Sequence, residues 1–331
     1  MTNTYEAFYD RILDVTAVIN VPIKIFVMVI VIRFSTPEMR SFSLLLLNGL
    51  FWNFMANFIF AFLHVYPMFP AECFRADGLV SLVAESETFG HIMFCVLFFC
   101  ILNCVLALSF TFPYRYFIFA HPITAAKIKR HWGIAFLCGV HVVTAVIFVY
   151  LYSFWVAPSP TYPVEGGMEG YGKLFCFKPQ GPDKNHVLFM FLIVLVELLV
   201  TIIASTILLF LSIHRLSSTM NSIYLRSHKR LLWALLLVTS IPMFLGGIPL
   251  FIVVITAMDP HLPFARPICM ICAVIIANHG TAYAIALIFA IRPYRIAVQQ
   301  MVRRMRKPSA VGDLAIISQL YVTNIPGDLV K

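Results

Sequence analysis

Long apolar runs separated by short polar segments dominate the pattern along the chain. Between His91 and Phe112, for example, no charged residue occurs. A membrane-crossing helix needs about 20 mostly apolar residues to cross a hydrocarbon core of about 30 Å, and seven runs approach or exceed that length. They are residues 15–32, 43–63, 91–112, 132–156, 187–213, 231–257 and 268–291.

The length and continuity of these runs predict helices. Membrane β-barrels are built instead from alternating segments of about ten residues, and lipid cannot satisfy an exposed backbone. We therefore expect an all-α bundle of seven transmembrane helices over residues 15–291. A short tail, 1–14, precedes it, and an amphipathic helix with a second tail, 292–331, follows it.

Composition agrees with a membrane protein, since 61% of the 331 residues are hydrophobic and only 12% are charged. Soluble domains are about 45–50% apolar and about 25% charged. No HExxH, GxSxG or phosphate-binding glycine loop occurs, so we predict neither an enzyme nor a cofactor. Cys269 and Cys272 form a single CxxC pair, which is a weak metal signal, and no metal is predicted.

Positive charge predicts the orientation, because cytoplasmic loops of membrane proteins carry an excess of Lys and Arg. One set of inter-span segments carries 17 such residues and the other set, which includes the amino terminus, carries 6. We therefore expect an extracellular amino terminus and a cytoplasmic carboxyl terminus. The acidic residues 1–14 do not have the pattern of a cleaved signal peptide, so the first span is expected to act as a signal-anchor.

The net charge of +9 is spread over the loops predicted to be cytoplasmic. Contact with the anionic inner leaflet of a lipid bilayer explains this distribution. A nucleic-acid partner would require a concentrated basic face, and none is predicted.

Several polar residues fall inside predicted spans, where they are costly and often functional. Lys24 and Glu197 are the two formal charges, and neither is expected to face lipid. We expect Lys24 to reach Asn53 or His279 more readily than Glu197. With Asn278, these five residues are candidates for ligand contacts or for structural contacts in the interior.

The sixth span contains TSIPMFLGGIPLF. Pro242 and Pro249 each remove a helical hydrogen bond, and Gly246 and Gly247 lie between them. Residues of these types cause most sharp bends in helices, so this segment is the candidate hinge.

Cys73 and Cys176 are the two cysteines in loops predicted to be extracellular. That compartment is oxidising, so a disulfide between them is a candidate; an unbridged pair is the alternative.

The third span ends in PYRY, in which Tyr114 and Tyr116 flank Arg115. By composition alone this is equally an interfacial anchor. The seventh span ends in RPYR, with Arg292, Tyr294 and Arg295, and opens the helix predicted to lie on the membrane surface.

These features together resemble G-protein-coupled receptors, although PYRY and RPYR replace the usual motifs of the third and seventh spans. In order and spacing, VPIKIF, STPEM, SLLLLNGLFWNF, PYRY, NHG and RPYR are similar to the nematode serpentine chemoreceptors of the Str superfamily, most of all to serpentine receptor class H. Members of that class typically have His at the position of Lys24.

The resemblance implies a chemosensory receptor in the plasma membrane of sensory-neuron cilia. It would bind a small external, odorant-like ligand and activate a heterotrimeric G protein. Tyr114, Arg115, Tyr116, Arg292, Tyr294 and Arg295 would then form the cytoplasmic switch. The alternatives are an odorant-gated ion channel subunit, which the charge distribution disfavours, and a non-signalling solute or lipid carrier.

Overall fold

A computed structural model describes residues 4–36, 39–79, 86–159, 162, 174–216 and 222–305. Seven of its helices are long and apolar enough to cross a membrane, which confirms the predicted bundle. Spans 1, 2, 4, 5 and 7 are α1 (Thr4–Phe34), α2 (Arg40–Leu63), α6 (Arg130–Trp155), α7 (Pro182–Leu216) and α10 (Ala265–Ala290).

Two spans are composite. Span 3 is α3 (Glu87–Ser109) followed by α4 (Thr111–Ala120), and span 6 is α8 (Ser222–Ile241), a π-helix (Pro242–Gly247) and α9 (Ile248–Met258). Two further helices are α5 (Pro122–Lys127), after span 3, and α11 (Arg292–Met305), after span 7. We call the end of the bundle that holds the amino terminus the outer end, after the predicted orientation, and the opposite end the inner end.

The first span starts earlier than the apolar run, because residues 4–14 continue the helix. With 31 residues it is about 46 Å long, which exceeds the hydrocarbon thickness of about 30 Å. Its first turns therefore extend beyond the bilayer core and contact the loops of the outer end.

A small sheet closes the outer end, and the prediction of an all-helical chain did not include it. Its strands are β1 (Val65–Pro67), β2 (Cys73–Ala76), β3 (Val156–Ala157) and β4 (Leu174–Phe177), in the antiparallel order β1-β2-β4-β3. Strands of two to four residues are too short to leave an alternating pattern that can be recognised in the sequence.

The candidate disulfide holds this sheet together. Cys73 and Cys176 are directly opposite each other on β2 and β4 and are bonded to each other. Beneath the sheet, the rings of Phe74, Phe94 and Phe175 lie 4.9–5.9 Å apart. The sheet is thereby fixed to the top of span 3.

Candidate functional site

A cavity of about 160 Å³ lies inside the bundle beneath the sheet. We call the small sheet and its connecting loops the outer cap. It lines the cavity at the outer end through Val65, Pro67, Phe69 and Phe74, and residues of spans 2, 6 and 7 line the cavity at mid-depth. Its apolar wall includes Phe60, Phe69, Phe74, Phe94, Leu97, Phe98, Ile101, Phe191, Leu195 and Leu250. Concave, mostly apolar cavities with a few polar groups are typical of small-molecule sites.

Among the described residues that line the cavity, polar groups are few and none carries a formal charge. Tyr9 is already engaged, since its hydroxyl donates to the Val65 carbonyl at 3.1 Å. Trp155 also lines the cavity, and its buried Nε1 has no partner among the described residues. Asn53, Asn57 and His279 provide the remaining polarity.

A chain of hydrogen bonds crosses the bundle below the cavity. Lys24, which is 1% exposed, donates from Nζ to the side-chain oxygen of Asn53 at 2.5 Å. The amide nitrogen of Asn53 lies 3.1 Å from Nε2 of His279, whose Nδ1 contacts the Ile276 carbonyl. Because Asn53 donates to Nε2, the histidine proton lies on Nδ1. Spans 1, 2 and 7 are thus joined by the predicted residues Lys24, Asn53 and His279.

A second set of polar residues reinforces the same crossing. Asn20 and Asn57 both donate to the Ala277 carbonyl, at 2.9 and 2.5 Å. Thr281 donates to the side-chain oxygen of Asn20 at 2.6 Å. Asn20 and Asn57 were not predicted, although each lies four residues from a predicted partner, Lys24 or Asn53, and therefore on the same helix face.

Two glycines allow the network to pack. A Cβ at Gly280 would overlap the side chain of Asn53, and one at Gly246 would lie 3.0 Å from Cδ2 of His279. The absence of a side chain at Gly280 lets span 2 approach span 7. The contact at Gly246 brings the π-helix of span 6 against the histidine ring.

The structure places a π-helix at the predicted hinge. It contains Pro242, Gly246 and Gly247, and Pro249 follows in the first turn of α9. A π-helix is a local irregularity often found at functional sites. Pro242, Gly246 and Gly247 also line the cavity, so the candidate hinge and the candidate ligand site share residues.

A separate polar cluster attaches span 4. His141 contacts the amide nitrogen of Asn48 at 3.0 Å through Nε2, and Nδ1 contacts the side-chain oxygen of Asn103. Asn103 is fully buried. These contacts were not predicted, because a single histidine in an apolar run carries no spacing that reveals its partners.

Charged residues tie the elements of the outer end to one another. Arg75 on β2 contacts Asp77 at 2.6 Å and Glu6 at 2.7 Å, and Glu6 also contacts Arg266 at 3.1 Å. Both guanidinium groups lie over the Tyr66 ring. This outer cluster links span 1, the sheet and span 7.

A buried pair adds spans 5 and 6 to the cap. Lys184 contacts the carboxylate of Glu72 and donates to the carbonyls of Pro179 and Met258 at 3.1 and 3.3 Å. Burial raises the pKa of Glu72 to about 7, against the opposing effect of the Lys184 hydrogen bond. Burial outweighs the hydrogen bond, because the side chain of Glu72 is only 3% exposed.

Arg115 lies at the inner end, in α4. Its guanidinium carbon is 3.8 Å from the centre of the Phe42 ring. Two of its nitrogens, Nε and Nη2, are buried without a hydrogen-bond partner among the described residues. The guanidinium group is therefore stacked on Phe42 of span 2, and these two nitrogens make no hydrogen bond to the described residues.

The other predicted switch residues have different environments. Tyr294 is fully buried and its hydroxyl contacts Ser35 at 2.9 Å and Ser43 at 3.0 Å, which joins α11 to spans 1 and 2. Tyr114 packs against the inner core and Tyr116 against the cluster around Phe119. Arg292 and Arg295 are exposed, and Arg295 donates to the carbonyl of Phe289 at 3.1 Å.

Glu197 corrects the expectation that both intramembrane charges face the interior. It is exposed on the outside of span 5, and Thr201 donates to it at 3.0 Å. The buried face of this helix carries Leu198, Ile202 and Ser205 instead. Asn278 is also exposed, and contacts Thr16 of span 1 at 3.3 Å.

Comparison with solved structures finds the same overall architecture in a known protein. Squid rhodopsin has a TM-score of 0.65 to this chain with 13% sequence identity, covering 97% of this chain and 93% of that one. At this identity the likeness concerns the fold alone. No curated protein matches the chain significantly by sequence.

Comparison with protein families is more specific. The family described as "Serpentine type 7TM GPCR chemoreceptor Srh" matches residues 4–304. That match includes all seven spans and α11 except its last residue, and it agrees with the class H resemblance of the motifs. The chain belongs to the Srh family of serpentine seven-transmembrane chemoreceptors.

Proposed function

We propose that this chemoreceptor binds a small uncharged molecule in the cavity beneath the sheet and activates a heterotrimeric G protein. The cavity carries the proposal, because it reaches from the outer cap to His279 and Gly246. One bound molecule would therefore contact both the outer sheet and the candidate hinge of span 6.

The cavity sets the size and chemistry of the proposed ligand. Apolar cavities of about 150 Å³ accommodate a molecule of the size of benzene, so a volume of about 160 Å³ fits one ring or a short branched chain. A charged ligand would be buried without a counterion, which is strongly unfavourable. The lining favours a ligand with one polar group, such as a ketone, ester or aldehyde, because it includes Asn53, Asn57 and His279.

Activation requires that the ligand prefer one receptor conformation over another. Pro242, Gly246 and Gly247 line the cavity, and Gly246 packs on His279. A change in the π-helix therefore changes the shape of the site and the contact with the hydrogen-bond network. We expect the ligand to bind better when span 6 has moved at its inner end.

Arg115 is the proposed contact for the G protein. Its unused donors are held against Phe42, and carbonyl or carboxylate acceptors of a partner would satisfy them better. By the predicted orientation this end would lie in the cytosol, and we propose that the receptor resides in the plasma membrane of sensory cilia. Arg292 and Arg295 are exposed near the same end and would add positive charge to the docking surface.

A ligand panel with a calcium readout, in cells that express the chain, tests receptor function and ligand class together. We expect responses to small uncharged aromatic or carbonyl compounds. Arg115→Ala should abolish these responses at unchanged surface expression. Arg40→Ala, an exposed arginine at the same end, is the matched control and should respond normally. Equal responses from the two variants would show that Arg115 is not required for coupling to the G protein.

A further inference from the structure

Glu197 is an acidic residue on a surface that faces lipid. It lies ten residues into the apolar run 187–213 of span 5, which places it about 15 Å along that run and close to the membrane centre. Translocon measurements assign about 2.5–3.5 kcal/mol to a charged residue at that depth. An exposed carboxyl group at this position therefore requires a partner or a proton.

The chain itself supplies one donor. The hydroxyl of Thr201, one turn further along, donates to Oε1 at 3.0 Å. Within the described ranges no other side chain donates to Glu197, and the helix face that packs into the bundle is a different one, marked by Leu198 and Ile202. The second carboxyl oxygen therefore has no donor among the described residues of this chain.

The exposed residues around Glu197 have the spacing of a helix–helix interface. A stripe along span 5 repeats every four and three residues, which is the 3.5-residue period of a left-handed helix pair. Every member of the stripe is exposed: Ile193, Glu197, Val200, Ala204, Ile207 and Leu211. Ala204, in the middle part of the stripe, is a small residue of the kind that lets helices approach closely in lipid.

We propose that two copies of this receptor pair through the stripe, with Glu197 of each copy against the partner's Glu197. Two copies inserted in the same orientation necessarily present this residue at the same membrane depth. In a pair of carboxylic acids, each group donates one hydrogen bond to the other and accepts one. A second copy therefore satisfies both acids without a basic residue.

The self-complementary geometry selects a second copy over a different partner. To form an ion pair instead, Glu197 would need a lysine or arginine at the same depth on the partner. In the spans that the structure describes, Lys24 is the basic residue at mid-depth, and it is buried and bound to Asn53. Pairing between acids is the arrangement that this chain can complete by itself.

Disulfide cross-linking in cell membranes tests the interface. The background is a full-length receptor with Cys138→Ser, which removes an exposed cysteine. Val200→Cys then places a cysteine on the stripe. Leu199→Cys is the control, because position 199 is exposed but is not part of the stripe. Oxidation should yield a cross-linked dimer with Val200→Cys and little with Leu199→Cys. Equal cross-linking at both positions, cross-linking at neither, or a product of another mass would overturn the proposal.

Substitution of Glu197 tests the chemistry. Added to Val200→Cys, Glu197→Leu should weaken pairing by about 3- to 30-fold, the range for one interhelical hydrogen bond in lipid. Glu197→Gln should retain it, because an amide also donates and accepts. Surface expression shows that each variant folds. Undiminished cross-linking in Glu197→Leu would contradict the assignment.

Discussion

Asn53 of span 2 donates a hydrogen bond to Nε2 of His279 in span 7, over 3.1 Å, while its carbonyl oxygen accepts from Lys24 of span 1. One side chain thus uses its donor and its acceptor on two other spans. His279 also packs against Gly246 of span 6. Asn53 therefore connects Lys24 of span 1, through His279, to the candidate hinge.

Loss of Asn53 should therefore destabilise the bundle. Asn53→Leu keeps the branched shape of the side chain but leaves a buried ammonium group without its best acceptor, so we expect a loss of about 3 kcal/mol or more in the free energy of unfolding. Adding Lys24→Met should recover much of that loss, because no unpaired charge remains. Thermal unfolding of the three purified variants measures this. A double variant as unstable as Asn53→Leu would mean that Lys24 is not the cause.

Gly280 gives a prediction about packing. Gly280→Ala places a methyl group where the Asn53 side chain lies, and overpacking of this kind costs about 1–3 kcal/mol or more. We expect poor surface expression and a lower melting temperature. Gly139→Ala is the matched control, since a Cβ there meets nothing within 4 Å. The two variants should differ clearly, and equal behaviour would refute the close approach of spans 2 and 7.

The two adjacent glycines of the π-helix allow a test of the hinge. A methyl group at Gly246 would press on the His279 ring, whereas the nearest atom to one at Gly247 is 3.9 Å away. Gly246→Ala should therefore alter the ligand response, and Gly247→Ala should alter it much less. Double electron–electron resonance can measure the distance between spin labels at the inner ends of spans 2 and 6. The ligand should change this distance in Gly247→Ala, and the change should be smaller in Gly246→Ala. If the ligand does not change this distance in the parent receptor, span 6 does not act as a hinge.

Glu72 makes the stability of the cap depend on pH. Its pKa in the folded protein is about 7, above the ordinary value of 4.5, so folding favours the protonated form. This contribution is complete below about pH 4.5 and is lost as the pH rises through 7, with an upper limit of about 3 kcal/mol. The melting temperature should fall between about pH 5 and pH 8. Glu72→Gln, which stays neutral, should lose most of that slope, and parallel curves for the two proteins would contradict the assignment.

The sequence was sufficient to predict the seven spans, because runs of about 20 apolar residues have few other uses. It also indicated Cys73 with Cys176, and Lys24 with Asn53, since few alternatives existed in each compartment. The sheet was missed because its strands have only two to four residues. The position of Glu197 was predicted wrongly, because periodicity within a uniformly apolar helix does not distinguish the face toward lipid from the face toward the bundle.

Partners between distant spans were the hardest to predict. Asn20 and Asn57 could have been found from their spacing of four residues to Lys24 and Asn53. The contact of His141 with Asn48 and Asn103 depends on how spans 2, 3 and 4 are arranged. That arrangement is set by packing over the whole bundle, which no local pattern contains.

A ligand in the cavity is proposed to drive activation of the G protein. Ile101 lines the cavity on span 3, and Ile92 is exposed on the same helix. Both can be changed to Phe, which fills the cavity only at position 101. In reconstituted membranes, ligand-stimulated nucleotide exchange on the G protein should be lost or shifted to much higher ligand concentration in Ile101→Phe and unchanged in Ile92→Phe. An unaltered dose–response curve in Ile101→Phe, at equal amounts of folded receptor, would show that activation does not depend on a ligand in this cavity.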